Sequence, residues 1–327
     1  MNRSRRKSLA MAISTALGVL LAAGSACAQD YPSKPIRLLV GYVPGGTPDL
    51  VARVVGAKLA QILGQPVVID NRPGAGGTLA TETVARAPAD GYTLLLGETG
   101  QLVIAPFITR NLRYDTLRDL TPIAFVGSTP LVLVVNTKTS AIKNVGELLS
   151  EVKTRPGMHY GSSGIGTIHH IATEALLSDA GVTMSHVPYK GSGQSVPAIL
   201  SGEIPVLMTS LTAVFSHVKA GTVRVLAVTT GARYKETPDV ASVSEVVKGY
   251  DFASENGILG PANLPPAVVD RLSKALKEAM ASPEVLEKLA GGSVIPTWTT
   301  PEGYRENIVA NLKKYERAVK AAKVEPQ

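Results

Sequence analysis

From Ile36 onward, short runs of branched aliphatic residues alternate with longer segments whose apolar residues recur at helical spacing. Ile36 to Tyr42 reads as a buried strand, Leu50 to Leu63 as a helix stopped by Gly64, and Val67 to Asp70 as a second strand. Thr78 to Ala87 then reads as a helix and Tyr92 to Leu96 as a third strand. Strands alternating with helices of this length need crossover connections, which implies βαβ units and parallel sheets covered by helices. The alternation resumes after Pro122. Strands are expected at Leu131 to Val135, from His159-Tyr160, at Ser185 to Pro188, Val206 to Met208 and Val223 to Val228. Helices are expected at Val145 to Lys153, Ile168 to Leu177, around Val196 to Leu200 and near Val214 to Lys219.

The tail breaks the pattern. Ala267 to Ala281, Pro283 to Leu289 and Pro301 to Ala322 all read as helix, with Asp270 and Lys274 four apart as a surface pair. No strand is expected after about Gly257 to complete a third sheet, so these helices must cover one built earlier. The first domain is the natural candidate. That makes it discontinuous, residues 29–127 plus 250–327, around a second domain of residues 128–249, with crossings near Gly127 and Gly249.

The first 28 residues are expected to stand apart from this fold. Arg3, Arg5, Arg6 and Lys7 precede an apolar run from Leu9 to Ala23, and Ala26-Cys27-Ala28 suits signal peptidase. That run is shorter than the roughly 20 residues of a membrane-spanning helix, so it reads as a cleaved signal directing the chain to the periplasm. A lipoprotein anchor at Cys27 and twin-arginine export through Arg5-Arg6 are the alternatives; Gly24 and Ser8 fit those signals less well. Cleavage before Gln29 leaves 299 of the 327 residues and no cysteine, and lowers the formal charge from +7 to +3. Without a basic stripe, and with 5% aromatic residues for base stacking, no nucleic-acid partner is expected.

Two strand, glycine-loop, helix junctions carry the chemical signal. The first is Leu39-Val40-Gly41-Tyr42-Val43-Pro44-Gly45-Gly46-Thr47-Pro48-Asp49, in which Thr47 reads as the N-cap, Pro48 as the first helical residue and Asp49 as first-turn charge. The second runs from His159 through Gly161-Ser162-Ser163-Gly164-Ile165-Gly166-Thr167 into a helix bearing His169 and His170. Each offers free backbone N–H groups and the positive end of a helix, a combination that holds anions. Loops that follow strands are also where open α/β sheets place their ligands. Two such ends across a cleft would suit a carboxylate or dicarboxylate. Any one glycine-rich turn is as readily structural; Asn71-Arg72-Pro73-Gly74-Ala75-Gly76-Gly77-Thr78 could line the same mouth or be a tight turn.

Enzyme motifs are missing. His169 takes the third glycine's place in a dinucleotide fingerprint that would open at Gly164, no Walker-type run occurs, and Gly161-Ser162-Ser163-Gly164 is not a nucleophile elbow. His170 and Glu174, four apart on one helix face, read as internally bonded rather than as metal ligands. Asp115, Asp119 and Asp251 read as solvated and Trp298 as packing. Neither metal nor cofactor is expected.

The chain also resembles a known family, the substrate-binding receptors of tripartite tricarboxylate transporters, or Bug-type receptors. The similarity runs from Tyr31-Pro32-Ser33-Lys34-Pro35-Ile36-Arg37 through Pro44 to Asp49 with Arg53, Asn71 to Gly77 and Asp90-Gly91-Tyr92-Thr93-Leu94. It continues in Gly161 to Thr167 with His170, His186-Val187-Pro188-Tyr189-Lys190-Gly191, Leu226-Ala227-Val228-Thr229 with Arg233, and Pro238-Asp239-Val240. The resemblance implies a two-lobed periplasmic-binding-protein (Venus-flytrap) architecture of mostly parallel sheets flanked by helices, closing on a small carboxylate and catalysing nothing. It implies Ser162, Ser163 and Thr167 as carboxylate donors and backbone contacts from Gly45, Gly46 and Ala75, with ordered water bridging to the first loop. Thr99 and Gly100 would line the wall. Thr47, Asp49, Gly76, Gly166, His170, Thr209 and Ser210 complete the candidate site.

One departure bears on the ligand. The family often has an acidic residue after the strand Val206-Leu207-Met208, where this chain has Thr209-Ser210. An acid there would attract an amino group in a partly dry cleft; its loss tilts the expectation toward a plain or aromatic carboxylate. The expected partner is the membrane subunits of a transporter, or a sensor kinase in an orphan uptake system, with the receptor itself a monomer. The rival readings are an α/β hydrolase or isomerase acting on a small carboxylate in the same cleft, and an interaction protein with a degenerate pocket.

Overall fold

A 17-residue strand, β4 (Leu120–Asn136), is the spine of the molecule. The computed structural model describes residues 31–326, so the expected leader lies outside the described residues. Before β4 come β1 (Ile36–Val40), β2 (Val67–Asn71) and β3 (Thr93–Glu98); after it come β5 (His159–Ser162), β6 (Ser185–Pro188), β7 (Leu207–Ser210), β8 (Val223–Val228), β9 (Ala253–Pro261) and β10 (Ile295–Pro296). They form one sheet in the order β2-β1-β3-β9-β4-β7-β5-β6, with β8 and β10 also paired to β4. Residues 120–130 of β4 pair with β9, and residues 131–136 pair with β7 and β8. The spine therefore belongs to both halves of the sheet.

Pairing is parallel inside each half, β2-β1-β3 in one and β7-β5-β6 in the other. It is antiparallel wherever β4 or β9 is a partner. The expectation of mostly parallel sheets is thus amended: strands that return the chain to its first half run against their neighbours, and the whole is mixed. The tail expectation is amended too. β9 reaches Pro261, well past Gly257, and β10 adds an antiparallel bridge to β4 at Gly127 and Ser128.

β4 has no polar face because both of its faces are covered. Leu131, Leu133 and Val135 join one apolar cluster with residues of the helix Ile168–Asp179 and of the last helix. Val132 and Val134 join another with Val196, Ile199, Ile204, Leu207 and Leu211. Each such side chain contributes about 1.5–3 kcal/mol by leaving water, and double-sided burial explains the unbroken Leu-Val-Leu-Val-Val run.

The helices follow their sequence signals closely. α1 (Thr47–Leu63) is stopped by Gly64 in the left-handed conformation, and α2 (Thr78–Ala85) follows the second glycine loop. A π-helical turn at Gly100–Ile104 runs into the short helix α3 (Ala105–Ile108). The second half holds α4 (Val145–Thr154), α5 (Ile168–Asp179), α6 (Ser192–Ser201) and α7 (Leu211–Lys219), and the tail holds α8 (Pro266–Met280), α9 (Pro283–Gly291) and α10 (Pro301–Ala321). α8 and α9 pack on α1, as expected of helices covering the first half. α10 does more: it lies against β4, the π-helical turn and α5, touching both halves. Its Tyr304 ring fits over β9 only because residue 257 is glycine, where a Cβ would stand 2.3 Å from Cζ.

Candidate functional site

The loops after β1, β2 and β3 meet at one end of the first half. The N-cap of α1 is Gly46, in an extended conformation, rather than the expected Thr47, which is the first helical residue and makes no cap bond. Asp49 supplies the missing order. Its buried carboxylate accepts from the Gly45 N–H at 3.0 Å, Arg53 Nε at 2.9 Å and Asn71 Nδ2 at 3.0 Å. Burial alone would raise its pKa, but those bonds outweigh burial and hold the carboxyl below its ordinary range. The Gly45 N–H is therefore engaged within the loop. Leu50 N–H bonds the Gly46 carbonyl and Pro48 has no N–H, so the donors left at this helix start are those of Thr47 and Asp49.

Two buried polar residues that the sequence did not single out tie these loops together. Glu98, 6% exposed, accepts from Tyr42 Oη at 2.6 Å, the Gly100 N–H at 2.8 Å and Ser254 Oγ at 2.7 Å. Burial, and then the adjacent Glu98 charge, push the Tyr42 phenol well up. Gln101 fills the space between Gly41 and Gly77: a Cβ on Gly77, whose φ is +92°, would lie 1.9 Å from its Oε1. Gly76 and Ala75 also have positive φ, at +64° and +45°, and both are exposed. The Thr99 hydroxyl is committed to β9, accepting from the Glu255 N–H at 2.8 Å and donating to the Ala253 carbonyl at 3.4 Å. Thr99 and Gly100 therefore brace this end of the half through β9 and through Glu98.

In the second half the loop 162–167 rests on a histidine stack. The rings of His170 and His186 lie 3.9 Å apart at 9°. His186 Nε2 is 2.7 Å from Ser162 Oγ, which also bonds the Gly164 N–H and carbonyl at 3.1 Å. His170 Nδ1 accepts from the Gly166 N–H at 3.1 Å. Thr167 is the N-cap of α5, taking the His170 N–H and donating to the Gly164 carbonyl at 2.8 Å. Glu174, the other half of the expected pair, accepts from Tyr160 Oη at 2.5 Å rather than meeting His170. Ile108 of α3 packs against Gly166, close enough that a Cβ there would come within 2.4 Å of Cδ1. The two halves touch at this loop.

At the strand ends of the second half, three polar atoms remain open. Ser163 Oγ, Thr209 Oγ1 and His169 Nδ1 are buried without a hydrogen-bond partner. β5 and β7 are parallel neighbours in register at Gly161 and Leu207, so Ser163 and Thr209 come at matching positions two residues further on. Ser210 stands at the N-cap of α7 without capping it, its Oγ 3.3 Å from His169 Nε2. An unpaired buried hydroxyl costs about 1–3 kcal/mol, which a ligand that accepts a hydrogen bond would recover. Of the expected side chains, Asp49, Thr99, Ser162, Thr167 and His170 are spent on bonds within the protein, while the hydroxyls of Ser163 and Thr209 have no partner in it. His169 was passed over in the sequence because two adjacent histidines on one helix turn give no cue to which faces the strand ends.

A family profile described as the tripartite tricarboxylate transporter family receptor, TctC, matches residues 51–324. The chain belongs to this family. BugT of Bordetella pertussis is 33% identical over 313 residues, covering 93% of this chain and 95% of its own length. Two solved structures agree along most of the chain. One is R. palustris Rpa4515 with adipate, 31% identical, TM-score 0.82, spanning 91% of this chain and all of the other. The second is MatC from Rhodopseudomonas palustris with bound malate, 26% identical, TM-score 0.77, spanning 88% of this chain and all of the other. The TctC receptor chain has their two-lobed periplasmic-binding-protein fold, and the Bug-type receptor family to which it belongs consists of solute-binding proteins rather than enzymes. Among the described residues no helix is long and apolar enough to cross a membrane.

Proposed function

We propose that this receptor captures a small carboxylate between a lobe of residues 29–127 plus 250–327 and a lobe of residues 128–249, and hands it to the membrane subunits of a transporter. The observation that carries the reading is the pair of unpaired buried hydroxyls, Ser163 Oγ and Thr209 Oγ1, at the ends of neighbouring parallel strands. Hydroxyls donate readily to a carboxylate, and the start of α1, with Gly46 and the N–H groups of Thr47 and Asp49, supplies an anion-favouring end on the other lobe. Gly45, Ala75, Gly76, Gly100, Gly166 and Ser210 complete the lining. Adipate and malate in the related structures support a carboxylate of this size. The signal expected at residues 1–28 would deliver the chain to the periplasm, where it would act as a monomer; a sensor kinase is the alternative partner.

The test is thermal stabilisation of the mature protein by a panel of mono-, di- and tricarboxylates, amino acids and aromatic acids. A ligand at about 100 times its Kd stabilises by about 2.7 kcal/mol, a shift of about 4–5 °C for a chain of this size. A flat response across the panel would overturn the reading. Uptake assays with and without the membrane subunits then separate a transporter partner from a sensor.

A further inference from the structure

His169 is the one side chain on the ligand-facing end of the second lobe that has a fixed anchor on one side and an unsatisfied atom on the other. It stands in the first turn of α5, directly after the loop 162–167. Its Nε2 lies 3.3 Å from Ser210 Oγ at the end of β7, and its Nδ1 is buried with no partner. Ser210 occupies an N-cap position, where a serine hydroxyl ordinarily accepts from its own helix, yet makes no such bond. That hydroxyl is turned to the imidazole instead. Burial, with no neighbouring charge contributing, lowers the His169 pKa to about 4, so the ring is neutral at pH 7.

A neutral imidazole has one donor and one acceptor, and the partner of one nitrogen decides the proton on the other. When Ser210 Oγ donates to Nε2, the ring proton sits on Nδ1, which becomes a donor. A carboxylate only accepts, so this tautomer is the one that complements it. Ser163 Oγ and Thr209 Oγ1, unpaired on adjacent strand ends, are donors of the same kind.

Resting on the receptor reading above, we propose that His169 is a ligand-contacting residue whose Nδ1–H donates to an oxygen of the bound carboxylate, with Ser210 holding the ring in that tautomer. Ser210 is thus a positioning residue. The lobe selects for ligands whose inserted end is an oxygen acceptor, because every free atom this lobe offers there can act as a donor.

The experiment titrates full-length mature protein with adipate, malate and the wider carboxylate panel by calorimetry, comparing wild type with His169→Phe and Ser210→Ala. Loss of one charge-assisted hydrogen bond predicts that His169→Phe weakens the best binder about tenfold, with Ser210→Ala weakening it less. In 15N-histidine spectra of the wild type, the same ligand should move the His169 Nδ1 resonance while its Nε2 signal changes little. That measurement stands even where His169→Phe fails to fold. Binding by His169→Phe equal to wild type, or an Nδ1 resonance indifferent to saturating ligand, overturns the proposal while leaving the receptor reading intact. A wild type that binds nothing on the panel overturns the receptor reading itself, and this proposal with it.

Discussion

The rings of His170 and His186 stack face to face beneath the loop 162–167, and each ring holds a different point of that loop. His170 accepts from Gly166 through Nδ1, and His186 bonds Ser162 through Nε2. Burial lowers both pKa values to about 4, and for His170 the neighbouring His186 adds to the effect. A depressed histidine pKa means that the unfolded chain binds the proton more readily than the native one. The stabilisation is therefore complete above about pH 6.5 and is lost as pH falls from there toward 4. Melting temperature measured across that window should decline with acidification. His186→Phe should flatten the decline, and an unchanged slope would show that the stack is not its source.

Ser163 and Thr167 have similar side chains and should respond differently to removal. Thr167→Ala deletes an N-cap and should cost about 1 kcal/mol of stability, read as a lower urea midpoint. Ser163→Ala deletes a hydroxyl with no protein partner, so stability should hold or rise while carboxylate affinity falls about tenfold. Equal stability losses in the two variants would contradict the assignment.

Thr209→Val keeps the shape of a fully buried residue and removes its unpaired oxygen. The fold should gain slightly, by up to about 1 kcal/mol, since an apolar isostere has no desolvation penalty. Ligand binding measured by calorimetry should weaken. A variant that binds as tightly as wild type would remove Thr209 from the site.

Glu98→Gln replaces an acceptor of three hydrogen bonds with a group whose amide nitrogen cannot accept. At least one of Tyr42, Gly100 and Ser254 then loses its partner, a loss of about 1–3 kcal/mol. Hydrogen exchange should rise at Tyr42, Gly76 and Gly100 together, because Glu98 joins their loops. Faster exchange at Gly100 alone would reduce Glu98 to a local contact.

Gly77→Ala should be among the most damaging single substitutions on the first lobe. The new Cβ would meet Gln101 Oε1 at 1.9 Å on a backbone with φ of +92°, and such strain costs about 1–3 kcal/mol. A denaturant midpoint equal to wild type would mean that Gln101 relocates freely.

Legibility in the sequence tracked how local each determinant was. Val223 to Val228 stands where the residues alone place it, since short β-branched runs bounded by turns carry their own signal. β4 was visible only from Leu131 to Val135. Its earlier part contains Gly127, Ser128, Thr129 and Pro130, which read as a break but lie in register with Asn256, Glu255, Ser254 and Ala253 of β9. Ser254 and Glu255 in turn look like loop, and join β9 because Glu98, Thr99 and Asn311 meet their polar groups from distant parts of the chain. The glycine loops were legible as strand-to-helix junctions from their order before helices. Which hydroxyls each loop spends on itself was not, because that is settled by His186, Gly164 and β9 in three dimensions.

The spine strand has a mechanical consequence. Other two-part clamps can swing on flexible loops that store nothing, but here β4 is ladder-bonded to both halves along 17 residues. Rotation of one half against the other must be taken up as added twist in a continuous ribbon, which behaves as a leaf spring. Any closure of the two halves on a ligand would then work against an elastic restoring torque, and release would draw on it.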